Sequence, residues 1–344
     1  MSQIDILMAK INKDWGNDNF HAGVASYDYE RIPSSSPRIN YMLYGGLPEG
    51  RLIEFYGMEH GGKTSLALDF VANYQALHDD KKVVWVDAEN TFDPTWATKL
   101  GVDVDNLLIL SPDSQGAETI FQTCLDIIET GEVGMMVLDS LGVLVSNQAY
   151  EKSVEEKTYG GIAMALTNFS KKAEMLCAKT KCTFIGINQV RDDLNSMFGG
   201  TTTTGGKAWR HNCSVRLEVK KGKYIDDRGT ELTNSCENPM GQKLLVSMTK
   251  NKTAPPLRRT GFTTIKFLEG IDYLSDLIEV AIKYGCIDKS GAWFSIIDPA
   301  TGELIEKLQG AARVKEYLAD ENNIMTLSVI ESEIDKHITD QNEV

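Results

Sequence analysis

The segment FYGMEHGGKTSLAL, residues 55–68, places three glycines and a Lys-Thr pair between an apolar run and a helical pattern. Within it, Gly57-x-x-x-x-Gly62-Lys63-Thr64 has P-loop spacing. Glycines let consecutive backbone N–H groups turn inward around phosphate oxygens. A helix starting near Lys63 adds the positive end of its dipole. Lys63 is suited to neutralise β- and γ-phosphates, and Thr64 to hold Mg²⁺. Met58, Glu59, His60, Gly61 and Ser65 complete the expected cradle. Taken alone, the segment also reads as a glycine-rich β–α turn.

Three further apolar runs end in polar groups: Asp87-Ala88-Glu89, Asp139-Ser140 and Asn188-Gln189. Ligands of parallel α/β sheets sit beyond the carboxyl ends of the strands. Asp139 is suited to hold Mg²⁺ through water. Glu89 is suited to orient and deprotonate an attacking water, and Gln189 to hydrogen-bond a γ-phosphate. Each residue alone would more often serve as a cap or turn former. Beside a P-loop, together, they favour ATP hydrolysis.

The elements that must position these groups follow a strand–helix rhythm. RLIEFYG, KKVVWVD, VGMMVLD and KCTFIGINQ are short apolar runs, separated by helical patterns such as ETIFQTCLDIIETG. Continuous apolar strands alternating with helices predict a mostly parallel sheet covered on both faces. After Gly206 the pattern changes to SVRLEVKK, QKLLVSMTKNK and FTTIKFL, which predict antiparallel additions at one end of the sheet. Residues 4–15 have helical spacing. From Asp272 a small α/β domain is expected. The expected division is 1–35 for an N-terminal helix and linker, 36–270 for the ATPase core, and 271–344 for a C-terminal domain with an acidic tail.

The 344 residues carry a net charge of −14, which taken whole argues against nucleic acid. The distribution differs. Residues 186–260 hold 13 Lys/Arg against 7 Asp/Glu, and residues 319–344 hold one Lys against seven acids. Such a chain has a basic segment and an acidic tail that can compete for one surface. The six cysteines form no C-x-x-C pair, so packed, reduced thiols are expected and zinc is not. No apolar run reaches the ~18 residues of a membrane span, and the start lacks a signal-peptide pattern. The expected location is the cytoplasm, with no membrane partner.

GGLPEGRLIEFYGMEHGGKTSLAL, VDAENTFDPTWATKLGVDVDNLL, VLDSLGVL, INQVR, MFGGTTTTGG and TKNKTAPP follow in order. With these motifs the chain resembles the bacterial RecA recombinase family over about residues 40–295. The resemblance implies a RecA-like P-loop ATPase core and a helical homo-oligomer on single-stranded DNA. It further implies strand exchange with double-stranded DNA, and ATP at the seams between subunits. Lys63, Thr64, Glu89, Asp139 and Gln189 take the roles given above. Asp93 and Trp96 fall where the family contacts adenine, and Lys250 and Lys252 where it reaches a neighbour's ATP. Standing alone, KNK reads as a solvated turn. Two loops, about 147–160 and 191–206, would face DNA. For the second, the candidates are Arg191, Phe198, Gly199, Gly200, Thr201, Thr202, Gly205, Gly206, Lys207 and Arg210. Hydroxyls and backbone N–H groups contact phosphates without reading bases, and Phe198 could stack on them. Without the resemblance, FGGTTTTGG reads as a surface linker. The chain departs from the family pattern at Met164, His211 and Asp192-Asp193. Two rival readings are a hexameric ring helicase of the same fold and a regulatory filament or mediator that binds ATP without exchanging strands.

Overall fold

The computed structural model describes residues 2–15, 29–151, 161–192, 201–227, 229–233 and 236–340. Two compact units are separable, residues 1–30 and 31–344. The first holds α1 (Gln3–Trp15), an amphipathic helix whose Ile4, Ile6 and Leu7 are exposed.

The second unit opens with β1 (Arg31–Ile32), α2 (Pro37–Leu43) and β2 (Leu47–Pro48). Then come β3 (Leu52–Gly57), α3 (Lys63–Leu77), β4 (Lys82–Asp87), α4 (Pro94–Lys99), β5 (Leu107–Leu110), α5 (Ala117–Glu129) and β6 (Val133–Asp139). They are followed by α6 (Asn147–Glu151), α7 (Gly161–Thr180), β7 (Thr183–Asp192), β8 (Thr201–Thr203) and α8 (Gly206–Asn212). The remainder comprises β9 (Val215–Ile225), β10 (Gly241–Asn251), β11 (Thr260–Lys266), β12 (Gly270–Ile271), α9 (Tyr273–Lys283), β13 (Ile287–Ser290), β14 (Trp293–Ile297), β15 (Leu304–Gln309), α10 (Ala311–Ala319) and α11 (Ile324–Thr339).

The main sheet runs β12-β11-β10-β9-β3-β7-β6-β4-β5, with β8 pairing with β7. Strands β9 to β5 along this path are parallel, while β10, β11 and β12 are antiparallel. The expected antiparallel extension is therefore present, except that its first strand, β9, lies parallel to β3. Every residue of β6 is buried, as a strand covered on both faces requires. One apolar layer holds α3 against Ile53, Phe55, Trp85 and Ile185. The other holds α5 and α7, with Phe121 stacked on Phe169 at 4.7 Å. Ile120, Phe121, Cys124, Leu125 and Ile128 form the buried stripe of α5, as the periodicity predicts. Five cysteines are buried free thiols and Cys236 is half-buried.

Beyond β12, helices α9, α10 and α11 and the sheet β13-β14-β15 enclose an apolar cluster of their own. It includes Ile278, Phe294, Ile296, Leu318 and Ile334. Arg258 donates to the carbonyls of Ile338 (2.7 Å), His337 (3.0 Å) and Asp340 (2.9 Å), and so caps the end of α11. Asp276 of α9 accepts from Ser36 Oγ (2.5 Å) and Thr263 Oγ1 (2.6 Å), tying α9 to α2 and β11.

Burial pushes the Asp276 carboxyl up to about 7 from 3.8. The folded chain then binds a proton that the unfolded chain releases between these two values. The stability so contributed is whole below pH ~4 and is lost as pH rises through ~7. At about 1.4 kcal/mol per unit, the loss is on the order of 4 kcal/mol. Asp276→Asn should flatten that part of the stability profile, as urea unfolding at pH 5 and pH 8 would read. A slope unchanged in the variant would place its origin elsewhere.

Candidate nucleotide site and DNA-facing hairpin

Parallel register sets the site. Gly57 pairs with Gln189, Asp87 with Asp139 and Leu138 with Gly186, so the ends of β3, β4 and β6 lie within two residues of one another beside Gln189 of β7, which runs on to Asp192. A cleft of about 770 Å³ opens there, lined by Glu59 to Ser65, Glu89, Trp96, Asp139, Ser140 and Gln189.

The loop between β3 and α3 bends through left-handed backbone at His60 (φ 55°) and Gly62 (φ 86°). A side chain at Gly62 would strike Leu244 at 2.6 Å, and one at Gly57 would strike the Val219 carbonyl at 2.1 Å. The motif's two outer glycines are thus fixed by close approach as well as by turning. Lys63 is buried and donates to the carbonyls of Gly57 (3.2 Å) and Met58 (2.7 Å). Burial lowers its pKa, while Asp139, Glu89 and Glu59 oppose the shift.

Thr64 Oγ1 donates to Asp139 Oδ2 at 2.8 Å. Burial pushes the Asp139 carboxyl up to about 6, and Glu89 nearby adds to the rise. A buried carboxylate beside a hydroxyl, under that pressure, suits a hard divalent cation. The donor set therefore fits Mg²⁺. The backbone amides of Ala88 (2.8 Å) and Glu89 (3.3 Å) donate to the Asp139 carbonyl, which seats Glu89 next to β6. Glu89 Oε1 accepts from the Ser140 hydroxyl and from Gln189 Nε2 (3.3 Å). Ser140, noted at a strand end but given no role from the sequence, and Thr91, which was not anticipated, also line the cleft.

Trp96 lines the cleft, with Nε1 donating to Ser65 Oγ at 3.0 Å. Asp93 is placed differently. It caps α4, accepting from Thr95 N (2.8 Å) and Trp96 N (3.1 Å), and is not among the lining residues. The opposite wall, which sequence reading missed, is Lys221 and Tyr224 of β9, Gln242 and Leu244 of β10, Ile265 of β11, and Phe267.

Lys250 and Lys252 do not reach this cleft. Lys250 donates to the carbonyls of Arg210 (2.8 Å) and His211 (2.5 Å), and Lys252 lies 3.6 Å from Glu174. They stand at the far end of β10 from Gln242 and Leu244. Any part they play at a phosphate lies on another copy of the chain.

Gln189 is directly continuous with the DNA-facing candidates. After it, β7 pairs with β8 as an antiparallel hairpin: Val190 with Thr203, Arg191 with Thr202, Asp192 with Thr201. Phe198, Gly199 and Gly200, like residues 152–160 of the first loop, lie outside the described residues. Asn188 donates to Thr204 O and to buried Glu54, both at 2.8 Å, fixing the hairpin's exit to the sheet. Arg191 holds the Gly142 carbonyl (2.8 Å), and Arg210 that of Gly206 (3.2 Å). Lys207 is exposed at the start of α8, just past the tight turn at Gly205 and Gly206.

The model of the RecA N-terminal domain matches residues 2–272, and that of the RecA C-terminal domain residues 275–339. The chain belongs to the RecA family. Among its relatives is the RecA protein of Fusobacterium nucleatum, 34% identical over 334 residues, 96% of this chain and 85% of that one. RecA of Chlorobaculum tepidum is 38% identical over 296 residues, 85% of this chain and 80% of the relative. RecA of Levilactobacillus brevis is 33% identical over 326 residues, 94% and 81%. As a RecA-family member the chain is a DNA-dependent ATPase of recombination and repair. It binds nucleotide and DNA and assembles into filaments of its own copies. The ring-helicase and mediator readings are not favoured by these relationships. Among the described residues, no helix is long and apolar enough to cross a membrane.

Proposed function

We propose that the cleft hydrolyses ATP with the residues brought together above, and that the hydrolytic state reaches DNA through β7. The observation that carries this reading is one hydrogen-bonded line. Glu89 accepts from Gln189, and Gln189 leads within two residues to Arg191 and the β7–β8 hairpin.

The P-loop amides and Lys63 hold the polyphosphate and offset its charge. Thr64 and Asp139 would hold Mg²⁺, which when bound neutralises charge on the terminal phosphates. Glu89 orients the attacking water and takes its proton. Ser140, donating to Glu89, fixes that carboxylate's orientation. Gln189 has one amide to spend. When it turns from Glu89 to a γ-phosphate oxygen, β7 and its hairpin move with it, and loss of the γ-phosphate reverses the change. Trp96 and Phe267 give the base two aromatic faces. Lys250 and Lys252 act on the ATP of the adjoining subunit, in the manner of an arginine finger supplied in trans.

The test is the ATPase rate with and without single-stranded DNA, together with an assay for joint molecules between homologous single and double strands. Stimulated hydrolysis and joint molecules are expected. Hydrolysis indifferent to DNA, with no joint molecules, would reject the proposal.

A further inference from the structure

The antiparallel wall of the cleft contains a register shift. Tyr224 pairs with Gln242 and Lys221 with Leu244, so three steps along β9 oppose two along β10. This is a β-bulge at Gly222-Lys223. In a regular strand, residues three apart point to opposite faces. The extra residue restores the phase, so Lys221 and Tyr224 share the face of Gln242 and Leu244, and all four line the cleft. Gly222 is required there, because a side chain would meet the Lys243 carbonyl at 2.8 Å.

The hairpin's lysines then divide by partner. Lys220 pairs with Glu218 (2.9 Å), and Lys223 and Lys243 both pair with Glu231 (2.6 and 3.0 Å). Lys221 has no carboxylate partner among the described residues. Its ammonium donates to Tyr224 Oη at 2.5 Å and lies 4.0 Å from the centre of that ring. Its neighbours fix where it stands. Leu244, its cross-strand partner, meets Gly62, and Val219, two residues before it, presents its carbonyl to Gly57 and Gly61. Lys221 is thus an uncompensated cation presented alongside the phosphate loop of its own chain.

We infer that Lys221 is a second cation of the nucleotide site, contributed in cis, that binds the polyphosphate across the cleft from Lys63, with Tyr224 as its positioning residue. This rests on the nucleotide reading of the cleft. A phosphate offers Lys221 a charge-assisted hydrogen bond in place of the neutral phenol. It also gives the bulge a purpose, since an unbulged β9 would turn one of the pair away.

The experiment is calorimetric binding of ADP and of a non-hydrolysable ATP analogue to the full chain without DNA. The variants are Lys221→Met, Tyr224→Phe, Lys223→Met and Lys63→Ala. Lys221→Met should weaken both nucleotides about 5- to 20-fold, with the gap narrowing as salt is raised. Tyr224→Phe should lose about two- to threefold, and Lys223→Met, on the same bulge but paired with Glu231, less than twofold. Lys221 is exposed, so its variant should keep the parent melting temperature. If Lys63→Ala abolishes binding while Lys221→Met stays within twofold of the parent, the inference is overturned and the cleft reading stands. Nucleotide affinity kept while single-stranded DNA binding falls would assign Lys221 to DNA and overturn it too. If Lys63→Ala binds as the parent does, both readings fall.

Discussion

Glu89→Gln should lower the DNA-stimulated turnover by about 10²- to 10⁴-fold while nucleotide and DNA binding persist. The size follows from removing the general base proposed above. The selectivity follows from geometry. Glutamine keeps an oxygen to accept from Ser140 and Gln189, so the network holding the end of β7 can survive the change. Lys63, Thr64 and the loop amides, which are proposed to hold the polyphosphate, make no hydrogen bond to Glu89. Filaments seen by electron microscopy should therefore be as abundant as those of the parent, and longer-lived, because the proposed mechanism couples release to hydrolysis. A variant that hydrolyses within tenfold of the parent would move the base elsewhere. A variant that no longer binds nucleotide would make Glu89 a structural residue.

The parts of this site legible in the sequence are those that sit at ends of buried strands. A parallel strand covered on both faces is a run of apolar residues, so the polar residue that closes it stands out. Asp87 and Asp139, which close their strands, and Gln189, which follows the apolar run of β7, were visible for that reason, and the P-loop by its spacing. The opposing wall was hidden by three physical facts. It is antiparallel, so its inward residues alternate with solvent-facing ones and mark no boundary. Its phase is broken at Gly222-Lys223, so periodicity puts Lys221 and Tyr224 on opposite faces. Phe267 lies just past the last residue of β11, where no pattern distinguishes it from any apolar side chain. β5 was missed because its apolar run, Leu107–Leu110, is only four residues long, too short for periodicity to assign. Asp93 shows the reverse case. Its position suggested a ligand contact, yet the sequence Asp-Pro-Thr-Trp also makes it a helix N-cap. The structure uses it as one.

The position of Lys250 leads to a second result of large size. Its ammonium holds the carbonyls at the end of α8 and stands apart from the cleft of its own chain. Lys250→Met should cost about 10³- to 10⁵-fold in turnover, as loss of a cation supplied in trans does. Part of any loss could come from freed carbonyls at α8, so a single variant cannot separate the two causes. Mixing can. On the proposed reading, each site of a head-to-tail filament takes Glu89 from one subunit and Lys250 from the next. Lys250→Met subunits keep Glu89, and Glu89→Gln subunits keep Lys250. Each filament alone turns over only at its residual rate, but an equal, random mixture makes whole sites at about one seam in four. The mixed filament should thus recover roughly a quarter of the parental rate, measured as phosphate release on single-stranded DNA. A Lys250 acting only within its own chain, on α8, predicts no recovery at any ratio, because every Lys250→Met subunit would stay defective whatever stood beside it. The dependence on mixing ratio discriminates further. Two residues shared across a seam give a rate proportional to the product of the two fractions, with its maximum at equality, whereas inactive subunits that merely dilute one another give a flat line near zero.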